Sequence, residues 1–214
     1  MNVGILGTGD VGRALGIGFI NNGHSVMIGS RAPGSDKAKE LLAKIGPRAS
    51  VGTFAQAARF GEVIVQATLW SGTENAIRLA DPENFSGKVV IDATNPLIFH
   101  SDGPPTLALG QTDSGGEQVQ RWLPDARVVK AFNIVGNAQM VNPQFPGGTP
   151  DMFICGNDAG AKKTVTDILK SFGWPTIDIG GIEGARLLEP MCILWVKFGV
   201  MTGTWNHAFK PLRK

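Results

Sequence analysis

Short apolar runs alternate along this chain with stretches whose apolar residues recur every three or four positions. Apolar runs that end in glycine or polar residues are typical of buried strands, whereas the wider spacing predicts helices. The predicted strands cover residues 2–7, 25–30, 49–52, 62–68, 87–94, 126–132, 151–156 and 175–180. The predicted helices cover residues 11–22, 35–45, 53–60, 71–80, 115–123, 158–173 and 185–203. This alternation indicates an α/β fold with a doubly wound, mainly parallel sheet.

Two segments interrupt the alternation. Residues 96–116 are rich in Pro, Gly, Ser and Asp, and they are predicted to form a long irregular loop of the kind that is often functional or mobile. Residues 141–150, "VNPQFPGGTP", predict a boundary between a larger part, residues 1–142, and a small C-terminal α/β part, residues 150–214. The last helix of that part is too apolar to stand in water, so we expect it to pack on the larger part or on a second subunit of a homodimer.

A glycine-rich turn follows the first predicted strand and opens the first helix. It has the G-x-G-x-x-G form and consists of Gly7, Thr8, Gly9, Asp10, Val11 and Gly12. The first glycine permits the tight turn, the second lets a pyrophosphate approach the backbone, and the third lets helix and strand pack closely. The N–H groups at the start of the helix then point at the phosphates. The turn therefore predicts a dinucleotide site in a Rossmann-type fold.

The end of the second strand lacks the acidic residue that usually binds the ribose 2′-hydroxyl of NAD. The chain has Ser30 and Arg31 at this point. Ser30 can donate to a phosphate oxygen, and Arg31 can pair with the phosphate charge and stack on adenine. Lys37, and Arg13 at the turn, can add positive potential. The sequence therefore favours NADP(H) over NAD(H); the alternative is an exposed arginine that merely starts a loop.

Three further strand ends are predicted to line the nicotinamide half of this site. Their backbone and amide groups can hold the ribose, and apolar side chains can wall the ring, although Trp70 is equally compatible with ordinary core packing. The candidate residues are Ala67, Thr68, Leu69, Trp70, Asn95, Pro96, Leu97 and Asn133.

Composition excludes several classes of function. The 20 basic and 18 acidic residues nearly cancel and form no basic block, so nucleic-acid binding is not expected. The apolar runs are too short for a membrane span, and the first strand begins too early for a secretory signal, so a cytoplasmic location is expected. The chain contains no tyrosine, which excludes reductases whose proton donor is a tyrosine phenol.

The remaining reactive side chains do not form a recognisable site. Cys155 and Cys192 match no metal or redox spacing and are expected to be buried thiols. The histidines at 24, 100 and 207 are scattered, so no metal site is predicted. Lys197 is the one candidate for a catalytic lysine of the β-hydroxyacid dehydrogenase or imine reductase type. We interpret it as a lysine at the edge of an apolar helix.

Several of these motifs together resemble a known family. The chain is similar to the NADPH-dependent reductases typified by archaeal coenzyme F420-dependent NADP oxidoreductase and by the oxidoreductase domain of the STEAP metalloreductases. The resemblance spans nearly the whole chain and depends on "GILGTGDVGRALG", "GSR", "ATLW", "NP", "VVKAFN" and "FICGND". "KAFNIVGN" is closer to the STEAP form.

The resemblance implies NADP bound through the glycine turn, Ser30 and Arg31. It also implies direct hydride transfer between NADPH and a flavin-like ring, for which the protein supplies orientation and a dry slot rather than a catalytic acid or base. The acceptor remains open among coenzyme F420, FMN, FAD, a ferric chelate reduced through flavin, and an unrelated small molecule. An NADPH-binding redox sensor, and a reductase of a carbonyl or imine substrate, are the alternative functions.

Overall fold

The computed structural model, which describes residues 1–212, contains an eight-stranded sheet with helices on both faces. The strands are β1 (Asn2–Leu6), β2 (Ser25–Gly29), β3 (Ala49–Gly52), β4 (Val63–Gln66), β5 (Val89–Asp92), β6 (Leu97–Ile98), β7 (Thr106–Leu107), β8 (Arg127–Lys130), β9 (Met152–Gly156) and β10 (Thr176–Asp178). The helices are α1 (Asp10–Asn21), α2 (Asp36–Ile45), α3 (Phe54–Phe60), α4 (Trp70–Ala80), α5 (Gly115–Trp122), α6 (Ala159–Ser171) and α7 (Ala185–Thr202).

The order of strands confirms the predicted Rossmann-type sheet. It runs β10-β9-β8-β5-β4-β1-β2-β3, and the strands from β8 to β3 are parallel to their neighbours. The chain crosses from β3 on one side of β1 to β4 on its other side, so the direction of winding reverses between β1 and β4. Ligands of such sheets bind at the carboxyl ends of the strands at this switch point.

The last two strands run in the opposite direction, which the local sequence pattern did not indicate. β9 is antiparallel to β8, with Lys130 opposite Cys155, and β10 is parallel to β9. A parallel connection requires a crossover that is usually an α-helix. The segment between β8 and β9 contains only a short 3-10 turn at Asn137–Gln139, so the chain returns along the same edge. The residues after 150 thus extend the same sheet, and the division into two parts stays a prediction.

Capping residues define the helix ends that the sequence predicted. Ser35 precedes α2, and its side chain accepts a hydrogen bond from the Ala38 N–H. Thr53 and Gln56 form a reciprocal capping box at the start of α3. Gly23 adopts a φ of 86° just after α1, a left-handed conformation that glycine adopts without steric cost.

The helices form two layers around the sheet. α1, α2 and α6 pack on one face, where Phe19 and Phe172 meet with ring centroids 5.0 Å apart. α3, α4, α5 and the start of α7 pack against one another on the other face. None of the helices in residues 1–212 has the length and apolarity that a bilayer crossing requires.

One of the two remaining segments differs from expectation, and the other agrees with it. The stretch 96–116, expected to be irregular, contains the antiparallel pair β6 and β7, and its end forms the start of α5. The apolar α7 does pack on the rest of the chain, through a buried face that includes Leu188 and Cys192. Its opposite face stays exposed.

Candidate functional site

A cavity of about 750 Å³ lies at the carboxyl ends of β1, β2, β4 and β5. This is the switch point of the sheet, and the volume lies within the usual range of ligand pockets. All of its lining residues lie between Gly7 and Ala93. The predicted site residues among them are Gly7, Thr8, Gly9, Asp10, Val11, Ser30, Arg31, Lys37, Ala67, Thr68 and Leu69.

The glycine turn has the geometry that a dinucleotide requires. A Cβ on Gly7, whose φ is 132°, would lie 2.3 Å from the Ala67 carbonyl oxygen, and a Cβ on Gly12 would lie 2.3 Å from the Gly7 carbonyl oxygen. Gly12 itself is buried below the cavity. A Cβ on Gly9, in contrast, would meet nothing within 4 Å. Gly7 and Gly12 therefore serve the fold of the turn, whereas Gly9 keeps open the space above it.

The first turn of α1 points its backbone donors toward this space. Gly9 is the N-cap residue of α1, and no side chain accepts a hydrogen bond at this end of the helix. The N–H groups of such an end, together with the helix dipole, attract anions. Asp10 is the one acidic side chain among the described residues of the lining, and its charge is paired with Arg13 at 2.9 Å. Arg13 therefore faces Asp10 rather than the cavity.

A positively charged corner lies where β2 ends and α2 begins. Ser30, Arg31 and Lys37 line it together with Ser35 and Ala38. The Ser30 Oγ accepts a hydrogen bond from the Ala32 N–H at 3.1 Å and keeps its own proton for donation. Arg31 and Lys37 are exposed, and neither forms an ion pair within the described part of the chain. The corner can therefore take a phosphate dianion. Ser35 also lines the cavity and was not predicted to do so.

The strand ends after β4 and β5 form the other half of the cavity. The Thr68 hydroxyl is fixed by the Gln66 Nε2 at 2.6 Å and by the Thr73 hydroxyl at 2.9 Å. Leu69 is 70% exposed and forms part of the rim. Trp70 does not reach the cavity: its ring stacks on Trp122, with centroids 5.5 Å apart. The structure therefore gives Trp70 a packing role at this point.

The remaining predicted residues lie together just beyond the cavity. Asn95 Nδ2 donates to the Asn133 carbonyl oxygen at 2.8 Å, and Asn133 Nδ2 donates to Asn95 Oδ1 at 3.0 Å. Pro96 accepts a hydrogen bond from the Ala108 N–H through its carbonyl, and Leu97 belongs to β6. These residues border the predicted nicotinamide half but do not line the cavity itself.

The residue that precedes Asn133 has a strained backbone conformation. Phe132 is fully buried and has a φ of 65°, a left-handed conformation that is unusual for a bulky side chain. Such strain is retained where the surrounding structure fixes it, often at functional sites. Here the ring of Phe132 packs against Phe172 at 6.0 Å, while the next residue reaches Asn95 and the Leu188 carbonyl oxygen.

Three buried charged residues beside the site were missed at the level of sequence. Asp92 and Lys130 occupy opposite register positions at the ends of β5 and β8, and their side chains are 2.8 Å apart. Glu189, on the inner face of α7, lies 2.7 Å from the same ammonium group. The signal in the sequence was a single charged residue at the end of each of two otherwise apolar strands, Asp92 in "VVID" and Lys130 in "VVK".

Lys130 carries its positive charge in spite of full burial. Burial alone would lower its pKa, but the carboxylates of Asp92 and Glu189 together raise the pKa above the ordinary value. Burial raises the pKa of the Cys155 and Cys192 thiols to about 12. Both cysteines are thus buried and protonated, as expected from sequence. Across residues 1–212 no group of three or more potential metal-ligating side chains comes together. Lys197 is exposed on α7.

The chain is similar to several known proteins. The sequence profile of the coenzyme F420-dependent NADP oxidoreductases matches residues 2–96. A crystal structure of a putative F420-dependent NADP reductase from Arthrobacter sp. FB24 is 38% identical and superposes with a TM-score of 0.93 over 99% of both chains. The F420-dependent NADP reductase of Methanocaldococcus jannaschii is 32% identical over 94% of this chain and 93% of that protein. Metalloreductase STEAP3 of Rattus norvegicus is 31% identical over 87% of this chain, which spans only 35% of that relative's length.

Proposed function

Because the chain belongs to the F420-dependent NADP reductase family, a family of NADP-dependent oxidoreductases, we propose that it transfers a hydride between NADPH and a flavin-like acceptor. The observation that carries the proposal is the cavity itself. It combines an open glycine cradle at an uncapped helix start with a corner formed by Ser30, Arg31 and Lys37. This arrangement fits a dinucleotide that bears a third phosphate.

Three groups of residues would bind three different parts of the cofactor. The turn from Gly7 to Gly12 would hold the pyrophosphate, and Ser30, Arg31 and Lys37 would hold the 2′-phosphate. The nicotinamide half would lie over the strand ends. The residues proposed there are Ala67, Thr68, Leu69, Trp70, Asn95, Pro96, Leu97 and Asn133. Trp70 would act indirectly, since its ring packs on Trp122.

In the proposed step NADPH passes a hydride to the acceptor ring and leaves NADP⁺ and the delocalised anion of the reduced ring, so this step needs no proton from the chain. The described residues that line the cavity include no histidine, cysteine or tyrosine. A reduction that passes a hydride directly between two carriers needs only orientation and the exclusion of water. This favours a ring such as coenzyme F420, FMN or FAD over a carbonyl or imine substrate, whose reduction calls for a proton.

Mixing the protein with NADPH and each of coenzyme F420, FMN and FAD tests the proposal. We expect at least one acceptor to cause a loss of the absorbance of reduced nicotinamide that depends on the protein. The same assay with NADH is the control, and it should be markedly slower because NADH lacks the 2′-phosphate. Tight NADPH binding without oxidation by any of the three acceptors would contradict the proposed transfer and favour a redox sensor or a carbonyl or imine reductase.

We also propose that the chain forms a homodimer through the outer face of α7. Leu187, Leu194, Phe198 and Met201 are large exposed apolar residues on this helix, and Met191 is half-buried between them. Their spacing of four and three residues forms a continuous stripe along one side of the helix, which is the pattern by which two helices pair. Monomeric proteins rarely expose such contiguous apolar surfaces.

Leu194→Glu should convert the dimer into a monomer. A carboxylate at this exposed position would have to be buried unpaired in the interface, while the monomer fold would tolerate it. Light scattering after size-exclusion chromatography measures the mass. Leu79→Glu, at an exposed leucine of α4, is the matched control and should leave the mass unchanged. A wild-type protein that is monomeric at micromolar concentration would refute the proposed dimer.

We further propose a cytoplasmic location, since both cysteines are free thiols.

A further inference from the structure

Asp92, Lys130 and Glu189 form a buried charge cluster at the end of the site. The three side chains are at most 1% exposed. Asp92 accepts hydrogen bonds from the Thr94 N–H at 2.9 Å and from the Thr94 hydroxyl at 2.7 Å. Glu189 accepts from the N–H groups of Gly115 and Gly116 at 2.9 and 3.0 Å, which cap the first turn of α5. Every carboxylate oxygen of the cluster therefore has a partner.

The cluster adjoins the segments after β5 and β8, which border the predicted nicotinamide half. Asp92 directly precedes Ala93, which lines the cavity. Glu189 directly follows Leu188, whose carbonyl oxygen accepts a hydrogen bond from Asn133. Lys130 connects the two acidic residues across the sheet edge. The cluster thus lies next to the strand ends of β5 and β8, beside the point where the cavity ends.

A fully buried ion cluster of this kind is weak evidence for stability. The cost of removing charges from water offsets much of their mutual attraction, and apolar side chains of similar volume often serve as well. The cluster also carries an uneven charge, because two carboxylates face one ammonium group. The helix start of α5 compensates only part of the remaining negative charge.

We propose that this cluster is a positioning and charge-setting element that favours the positively charged nicotinamide ring of NADP⁺ over the neutral ring of NADPH. The proposal rests on the proposed function, since it presupposes that NADP(H) binds in the cavity. A net negative charge near the ring stabilises the oxidised cofactor relative to the reduced one and makes hydride donation more favourable. Lys130, Asp92 and Glu189 act through the field and through Asn133, without touching the reacting atoms.

Glu189→Gln tests the charge without removing the side chain. The amide oxygen can still accept hydrogen bonds, but the cluster loses one negative charge. At an effective dielectric constant of about 20, a unit charge still changes a binding ratio about tenfold at a separation of about 10 Å. We therefore expect the dissociation constant for NADP⁺, divided by that for NADPH, to rise at least about threefold. Calorimetry with each cofactor alone measures both constants without turnover.

Two further variants separate charge from structure. Asp92→Asn makes the same change of charge at the other carboxylate and should move the ratio in the same direction. Glu117→Gln is the matched control, because Glu117 is a mostly buried carboxylate of α5 that pairs with Arg186 outside the cluster. It should leave the ratio within about twofold of the wild-type ratio, because this pair is partly exposed to solvent and does not line the cavity.

The outcomes distinguish this inference from the proposed function. A wild-type protein that binds neither cofactor would refute the proposed function. Binding of both, with a ratio that stays constant in Glu189→Gln and Asp92→Asn, would overturn the charge-setting role and leave the proposed function intact. An equal weakening of both cofactors would also overturn it, because that is the result of a purely structural role. If both variants fail to fold, the wild type decides: tighter binding of NADPH than of NADP⁺ would overturn the inference.

Discussion

Replacing Arg31 by aspartate should weaken NADPH binding about a hundredfold and leave NADH binding within about threefold. Arg31 is exposed at the corner of the cavity beside Ser30 and Lys37. A guanidinium group binds a phosphate through charge-assisted hydrogen bonds, whereas a carboxylate at this position would repel it. NADH has a hydroxyl in place of the phosphate, and a carboxylate can accept a hydrogen bond from it. Arg31→Ala should cause a smaller loss for NADPH, of about tenfold.

Fluorescence titration of reduced nicotinamide with both cofactors measures this selectivity. Lys39→Ala is the matched control, because Lys39 is an exposed cation of the same α2 region that pairs with Asp36 at 2.9 Å and does not line the cavity. It should change both affinities by less than about twofold. If Arg31→Asp weakened NADPH and NADH equally, the assignment of the 2′-phosphate to this corner would be wrong.

The second large effect should separate two glycines of the same turn. Gly12→Ala places a Cβ 2.3 Å from the Gly7 carbonyl oxygen, and this backbone contact cannot relax without moving the turn. We expect the free energy of unfolding to fall by about 3 kcal/mol or more. Gly9→Ala has no such contact, since nothing lies within 4 Å of its Cβ. Its free energy of unfolding should stay within about 0.5 kcal/mol of the wild type.

Binding should follow a different order in these variants. The methyl group of Gly9→Ala occupies the space through which a pyrophosphate would approach the backbone, so NADPH affinity should fall more than about tenfold at unchanged stability. Denaturant unfolding and cofactor titration on the same samples give both quantities. Gly34→Ala, in a loop where a Cβ also meets nothing within 4 Å, is the control and should affect neither. A Gly9→Ala protein that binds NADPH normally would contradict the proposed path of the pyrophosphate.

The sequence pattern predicted the strands and helix ends that depend only on residues close together in the chain. The apolar runs before the glycine turn and around "EVIVQAT" became β1 and β4, because buried parallel strands read as continuous apolar segments. The helices α2 and α3 were predicted to begin at residues 35 and 53, and in the structure the side chains of these two residues cap the free N–H groups of the helix starts. The position of Ser30 and Arg31 in the cavity lining was also predictable, because both residues directly follow β2.

Features that depend on distant segments were not predictable in this way. The direction of β9 is set by a connection without a helical crossover, and its sequence alone reads as any other buried strand. Trp70 turned toward Trp122 because α5 packs there, which no spacing in "ATLW" indicates. The pairing of Asp92 with Lys130 requires β5 and β8 to be neighbours, although 34 residues of other structure separate them in the chain, from Ala93 to Ala126.

The confinement of the cavity lining to residues between Gly7 and Ala93 bears on how the protein is made. The strands that build the lining, β1 to β5, lie close in the chain, so their contacts close short loops and can form early in folding. During synthesis from the N-terminus, the strands of the nucleotide cradle emerge from the ribosome before β8 and α7, which carry Lys130 and Glu189 of the buried charge cluster. The residues that line the cavity are thus all synthesised before Lys130 and Glu189.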